Sequence, residues 1–244
     1  KDRAEVERAV AHLQRGKAKA LLAADANAPV LGELVHGKLE GDFGDNFLAV
    51  VEGGAGELRY ARFDRTGDLA ILADIPSGSI VAFEPAVARP RASDEAVARV
   101  AARAGGLYSA TIHANIEAHV DPGLVAANVR RLEAMRRGGL VERRSDGAFA
   151  IAPNHLEQAT SFEAELVRKS PVNARVVSYW TLAEQVTALG PTYLDHVLAG
   201  EAAALRGEGA FGRRYAMALQ QRRLFMIEQG WMGESDKRLS PAAL

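Results

Sequence analysis

Cysteine is absent from all 244 residues. That single absence excludes disulfide frameworks, thiolate zinc sites, iron–sulfur clusters and cysteine nucleophiles. A chain of this length without disulfides suits a reducing compartment, and the expected location is cytoplasmic. No apolar run approaches the roughly 20 residues needed to cross a bilayer, so no membrane partner is expected. The first residues are too charged for a secretory signal, and no small-residue cleavage site follows an apolar core. An excess of one charge is missing as well. Lys+Arg is 30 and Asp+Glu 31, for a net charge of -1. This argues against a uniformly basic coat, but a total says nothing of a local patch.

Familiar catalytic signatures are also lacking. There is no G-x-S-x-G elbow and no H-E-x-x-H. Gly53-Gly54-Ala55-Gly56 has neither a lysine nor a following helix, so it reads as a hairpin turn rather than a nucleotide cradle. The histidines (His12, His36, His113, His119, His155, His196) include no pair at the spacing that builds a metal site on one face. They read as surface or half-buried groups. No catalytic residue, metal or cofactor is assigned to this chain, and whether it is part of an enzyme is left open.

What is present is ordinary globular composition, 48% hydrophobic and 25% charged, enough for a sizeable core. The pattern predicts an α+β chain in four parts. Residues 1–28 read as an N-terminal helical segment, with Val6, Val10 and Leu13 at helical spacing. Residues 29–90 carry four to five short apolar runs separated by turn material, a small antiparallel β-barrel. Residues 91–156 run helix, short strand, helix, helix, hairpin, the order of a winged helix-turn-helix. Ser93, Ser109 and Asp121-Pro122 start the three helices, and Gly105-Gly106 and Gly138-Gly139 end the first and third. Residues 157–244 read as helices near 157–168, 182–188, 192–199 and 211–229, with a short extended RVVSYW. Here QQRRLFMIEQGWMGESDKRLSP echoes RRLEAMRRGGLVERRSDGAFAI, the mark of a second winged-helix-like unit.

Charge is unevenly spread over these parts. Residues 29–90 hold ten acidic and five basic side chains, while residues 122–144 hold six arginines and two glutamates. On the third helix of the central part, Leu124, Val125, Val129, Leu132 and Met135 share one face, which faces the core. Arg130 and Arg137 lie opposite, near Ala126 and Glu133, and Arg131 lies on the flank. Arg143 and Arg144 fall on the first wing strand. Small residues at the helix start fit a major groove, and arginines pair with guanine edges or phosphates. The DNA-binding candidates are therefore Arg130, Arg131, Arg137, Arg143 and Arg144. The plainer alternative is a solvated face closing pairs with Glu133 and Glu142. Tyr108, Tyr179, Trp180, Tyr193 and Trp231 are possible stacking groups, though Tyr179-Trp180 beside RVV reads as core.

Six stretches together resemble one family: RGKAKALL, VLGELVHGKLEGDFGDNFLAVVEGGAGELRYARF, ARAGGLYSATIHA, VRRLEAMRRGGLVERRSDGAFAI, VVSYWTLAEQVTALGPTYLDHVL and FGRRYAMALQQRRLFMIEQGWM. They are similar to the C-terminal region of VirD-type relaxase/mobilisation nucleases of bacterial conjugation, a conserved domain of unknown function that follows the nicking domain. The resemblance implies an accessory DNA-binding region that positions transfer-origin DNA. In that family a tyrosine attacks the phosphodiester and a histidine cluster holds a metal. Neither signature is in this chain, so the nicking domain is expected upstream of Lys1. The implied partners are transfer-origin DNA, that nicking domain, and a relaxosome or coupling protein. Two alternatives stand beside this reading: a protein-docking module of the relaxosome, and a free-standing winged-helix transcription regulator.

Overall fold

The structure is a computed structural model, and it describes residues 6–8, 11, 21–40, 46–64 and 75–240. In chain order its elements are β1 (Leu21–Ala23), β2 (Val30–Glu40), β3 (Asn46–Gly53), β4 (Leu58–Asp64) and β5 (Ile80–Pro85), then α1 (Ala92–Arg103), β6 (Leu107–Tyr108), α2 (Ala110–Ile116), α3 (Pro122–Arg137), β7 (Glu142–Arg143), β8 (Phe149–Ala150) and α4 (His155–Lys169), then β9 (Val172–Ser178), α5 (Leu182–Thr187), α6 (Tyr193–Ala199) and α7 (Ala210–Glu228). The chain is thus mixed α and β. It divides into two compact units, Lys1–Pro85 with Val172–Leu244, and Ala86–Pro171. Among the described residues no helix is long and apolar enough to cross a membrane.

The first unit is built on a six-stranded sheet in the order β1-β4-β3-β2-β5-β9. The β1–β4 pair is parallel and the others are antiparallel. β3 is buried on both faces because its residues alternate between two cores. Phe47, Ala49 and Val51 join one cluster with Leu34, Val81 and Phe83. Leu48 and Val50 join another with Val6, Leu21 and Leu58. A third cluster sets Ile80 against Leu182, Leu194, Phe211, Tyr215 and Ala218 from α5, α6 and α7.

Three expectations change here. The strands of 29–90 do not close into a barrel among the described residues, because the outer side of β5 is taken by β9, which leaves β1 and β9 as sheet edges. The helix expected over 1–28 gives way to strand at 21–23, where Leu21, Leu22 and Ala23 pair with β4. Residues 6–8 are helical, and Val10 and Leu13 lie outside the described residues. At the other end, Gly230 takes a left-handed conformation after α7, but no strand follows among the described residues through 240. The echo of a second winged-helix-like unit therefore lacks a wing, and α5–α7 pack on the sheet instead.

The glycine run after β3 is a hairpin turn, as expected, but only Gly56 of its three glycines has a positive φ, 89°. The other reason for glycine is close approach. The Gly209 N–H donates to the Gly54 carbonyl at 2.9 Å. A Cβ on Gly212 would sit 2.4 Å from the carbonyl oxygens of both Gly54 and Gly207, and one on Gly209 would sit 2.1 Å from the Gly56 nitrogen. The hairpin tip thus lies backbone against backbone on the start of α7, where any side chain would force the two apart.

The second unit runs α1, β6, α2, α3, β7, β8, α4, with a three-stranded sheet in the order β6-β8-β7. Its core gathers Val97, Val100, Tyr108, Leu132, Met135 and Phe149 with Ala159 of α4. That last contact moves the boundary expected at 156. α4 packs on this core, and the unit ends at Pro171, whose carbonyl accepts from the Ala86 N–H at 2.9 Å. The helix starts at 109 and 121 follow their local chemistry. Ser109 Oγ accepts from the Ile112 N–H, and Asp121 accepts from the Gly123 N–H with proline next in line. α1 differs: Arg91 precedes it, and the acid that closes its first turn is Asp94 rather than Ser93.

Candidate functional site

α3 presents two unlike faces. Val125, Asn128, Leu132 and Met135 are buried. On the opposite side Ala126, Arg130 and Arg137 are exposed, with Glu133 partly so. The helix ends where Gly139 turns left-handed, at φ 75°, and the Leu140 N–H returns to the Met135 carbonyl at 3.0 Å. That sharp stop leads the chain straight into the β7–β8 hairpin. Arg143 and Arg144 lie on and just after its first strand, and their side chains are 51% and 53% exposed.

Glu133 joins the helix to the hairpin. Its Oε2 accepts from Arg136 Nε at 2.7 Å and its Oε1 from Arg143 Nη1 at 2.8 Å. Arg136 chiefly, and then Arg143, holds the Glu133 carboxyl below the usual carboxylate range. The Arg143 guanidinium also donates to the Gly147 carbonyl at 3.3 Å and lies 5.5 Å from the Phe149 ring centre. Arg144 pairs with Asp146 at 3.3 Å. Arg137 donates at 3.4 Å to the backbone carbonyl of Glu133. A shallow depression beside the hairpin is lined in part by Gly105, Gly106, Arg136, Gly139, Arg143 and Arg144. The pairing with Glu133 that the plainer alternative anticipates is present, but it takes Arg136 and Arg143 and leaves Arg130 and Arg137 without a carboxylate partner among the described residues.

Arg131 does not belong to this surface. Its side chain is 7% exposed. Its guanidinium grips Asp94 with two bonds, Nε to Oδ1 at 3.0 Å and Nη2 to Oδ2 at 3.1 Å, while Nη1 reaches Glu163 Oε1 at 2.7 Å. It also stacks 4.9 Å from the Phe162 ring centre. Arg91 pairs with the same Glu163 oxygen at 2.8 Å. The cluster ties α1, α3 and α4 together, so the flank position expected for Arg131 is an interior one. The sequence carried a signal for this. Arg131 falls three residues after Asn128 and four before Met135, which places it on the buried stripe.

Two histidines expected near the surface are fully buried. His113 Nδ1 lies 2.8 Å from the Tyr108 hydroxyl, which accepts from Asn128 Nδ2 at 3.0 Å. His113 Nε2 faces Glu117 at 3.1 Å. The Glu117 carboxylate can only accept, so the contact is an Nε2–H donating to it. Hydrogen bonds from Arg99 and then His113 hold the Glu117 carboxyl down to about 2. His155 is 1% exposed, and burial lowers its pKa despite the neighbouring Asp94. Among the described residues no group of three or more His, Asp and Glu side chains could hold a metal ion.

The aromatic candidates divide. Tyr108 is core. Tyr179 and Trp180 are not, at 51% and 45% exposure. They follow the last residue of β9, and their carbonyls are fixed by Ser79 and Gln185, so the backbone is anchored while the rings face outward.

Residues 4–243 match the family model described as "Protein of unknown function (DUF3363)". The match covers nearly the whole chain, and the chain belongs to that family. No curated protein and no solved structure matches it.

Proposed function

We propose that in this DUF3363 protein the Ala86–Pro171 unit is a winged helix-turn-helix that binds DNA through α3 and the β7–β8 wing. The wider proposal is that the chain is the accessory DNA-binding region of a conjugative relaxase and holds transfer-origin DNA for a nicking domain. The observation that carries the reading is the placing of arginines along the C-terminal half of one helix and on the hairpin that follows it. Arg130 and Arg137 stand on the outward stripe of α3, and Arg143 is tied to that stripe through Glu133. Small residues at the start of the stripe, Gly123 and Ala126, are exposed, which suits entry into a major groove. The family resemblance drawn from the sequence supports the relaxase context. Arg131 is excluded from the contact set, which becomes Arg130, Arg137, Arg143 and Arg144.

Binding of this kind weakens with salt, because each neutralised phosphate releases counterions. The double variant Arg130→Ala/Arg137→Ala should bind a duplex oligonucleotide more weakly than the parent. Its slope of log affinity against log salt should fall by about 1.8, or about 0.9 for each lost phosphate contact. Fluorescence anisotropy at several salt concentrations measures both. An unchanged affinity and slope would remove these arginines from the account.

A docking role has one observation in its favour: the outward rings of Tyr179 and Trp180 on the other unit. Pull-down of relaxosome proteins without DNA, lost on replacing both rings with alanine, would favour that second reading.

A further inference from the structure

We infer that Glu133 is a built-in competitor of the DNA backbone, occupying the place of a phosphate between two arginines until DNA displaces it. The inference rests on the reading of α3 and the wing as a DNA-binding face. It starts from a mismatch: the chain's densest basic block has a carboxylate in the middle of its outward stripe. Glu133 stands between Arg130 and Arg137 along α3, and its two oxygens each take one guanidinium, Arg136 at 2.7 Å and Arg143 at 2.8 Å. Those are distances at which arginine also holds phosphate oxygens, one guanidinium to each oxygen. Both arginines line the depression beside the wing, so the cations that Glu133 holds are the ones that face an open concavity.

The pairing is suited to exchange. Arg136 and Arg143 are 44% and 51% exposed and Glu133 is 25% exposed. Pairs so open to water hold weakly, and a phosphate that brings its own condensed counterions can replace the carboxylate. The buried Arg131 pairs on the same helix are the contrast, since both of their carboxylates lie inside. While Glu133 is in place, Arg136 and Arg143 are already neutralised and release few counterions when DNA arrives. Arg144 is likewise held by Asp146, so only Arg130 and Arg137 contribute fully to the salt dependence. The acid therefore sets a threshold: it lowers affinity for any polyanion that touches the wing without also filling the α3 stripe.

The test compares the intact chain with its Glu133→Gln variant on one duplex oligonucleotide across a salt series. Glutamine keeps the shape and loses the charge, and thermal unfolding of the variant checks that the fold is kept. Glu133→Ala serves as a second variant should glutamine hold the arginines by its carbonyl. The expected result is tighter binding at low salt and a slope steeper by about 1.8, for two arginines released. The advantage of the variant would then shrink about tenfold between about 50 and 200 mM salt. If the parent binds and both variants bind equally or more weakly with the same slope, Glu133 orients the wing arginines and the inference is overturned. If neither parent nor variants bind at low salt, it is the DNA-binding reading itself that fails.

Discussion

Replacing Arg131 with alanine is expected to destabilise the central unit rather than to remove a DNA contact. The side chain is the only guanidinium bonded to Asp94 among the described residues, and Asp94 is fully buried. It also shares Glu163 with Arg91. Truncation leaves one buried carboxylate without its cation and a second with half its partners. Breaking a buried pair from one side costs about 3–5 kcal/mol, and the lost contact with the Phe162 ring adds to that. For a domain of this size each kcal/mol moves the melting temperature by about 4–8 °C, so a fall of about 15 °C or more is expected in the transition of this unit. Asp94 also accepts from the Arg91 N–H at the start of α1, so α1 and α3 should lose protection together in hydrogen exchange. Calorimetry with hydrogen exchange over 92–137 checks this. A variant that melts with the parent and has lost only its affinity for DNA would return Arg131 to the binding surface.

Arg222→Ala is expected to be at least as damaging in the other unit. Arg222 and Asp195 are each 1% exposed, and the guanidinium reaches both carboxylate oxygens at 2.7 Å. The same guanidinium donates to the carbonyl of Val186 in the last turn of α5 and to those of Ala188 and Gly190 in the loop that leads to α6. Truncation strands a buried carboxylate and three backbone carbonyls at once, so the cost of breaking the pair, about 3–5 kcal/mol, is a lower figure here. The helices α5 and α6 should lose hydrogen-exchange protection before the sheet does. Melting within about 1 kcal/mol of the parent would contradict the role given to this pair, since surface substitutions fall in that range.

The two arginines explain why the sequence echo was visible and what it means. Arg131 and Arg222 each precede a left-handed glycine, Gly139 and Gly230, by the same number of residues. Each pairs with an acid, Asp94 or Asp195, that also bonds the first turn of another helix. The cadence of basic helix, glycine and apolar pair therefore marks one way of anchoring a long helix, used in both units, and not a repeated wing.

Local chemistry was legible and distant pairing was not. The starts at Ser109 and Asp121-Pro122 and the stop at Gly138-Gly139 depend on a few neighbouring residues, and each stands where its pattern places it. The return of β9 to β5 joins residues about ninety positions apart, and no short pattern announces it, which is why a closed barrel was expected where an open sheet stands. The close approach of Gly54 to Gly207 and Gly212 is hidden for the same reason. Charge density pointed to α3 and the β7–β8 hairpin, but a flank position was expected for Arg131, which is interior. Tyr179 and Trp180 were misplaced by the general habit of aromatic residues to be core, although they follow the end of a strand, where the chain turns.

The central claim, that α3 and the wing form a DNA-binding face, is tested most directly by titrating the intact chain onto duplex and single-stranded oligonucleotides over a salt series. The account predicts duplex binding at low salt and a slope of log affinity against log salt near about −2, set by Arg130 and Arg137. No binding to the duplex at about 50 mM salt, or an affinity that salt leaves unchanged, would contradict it.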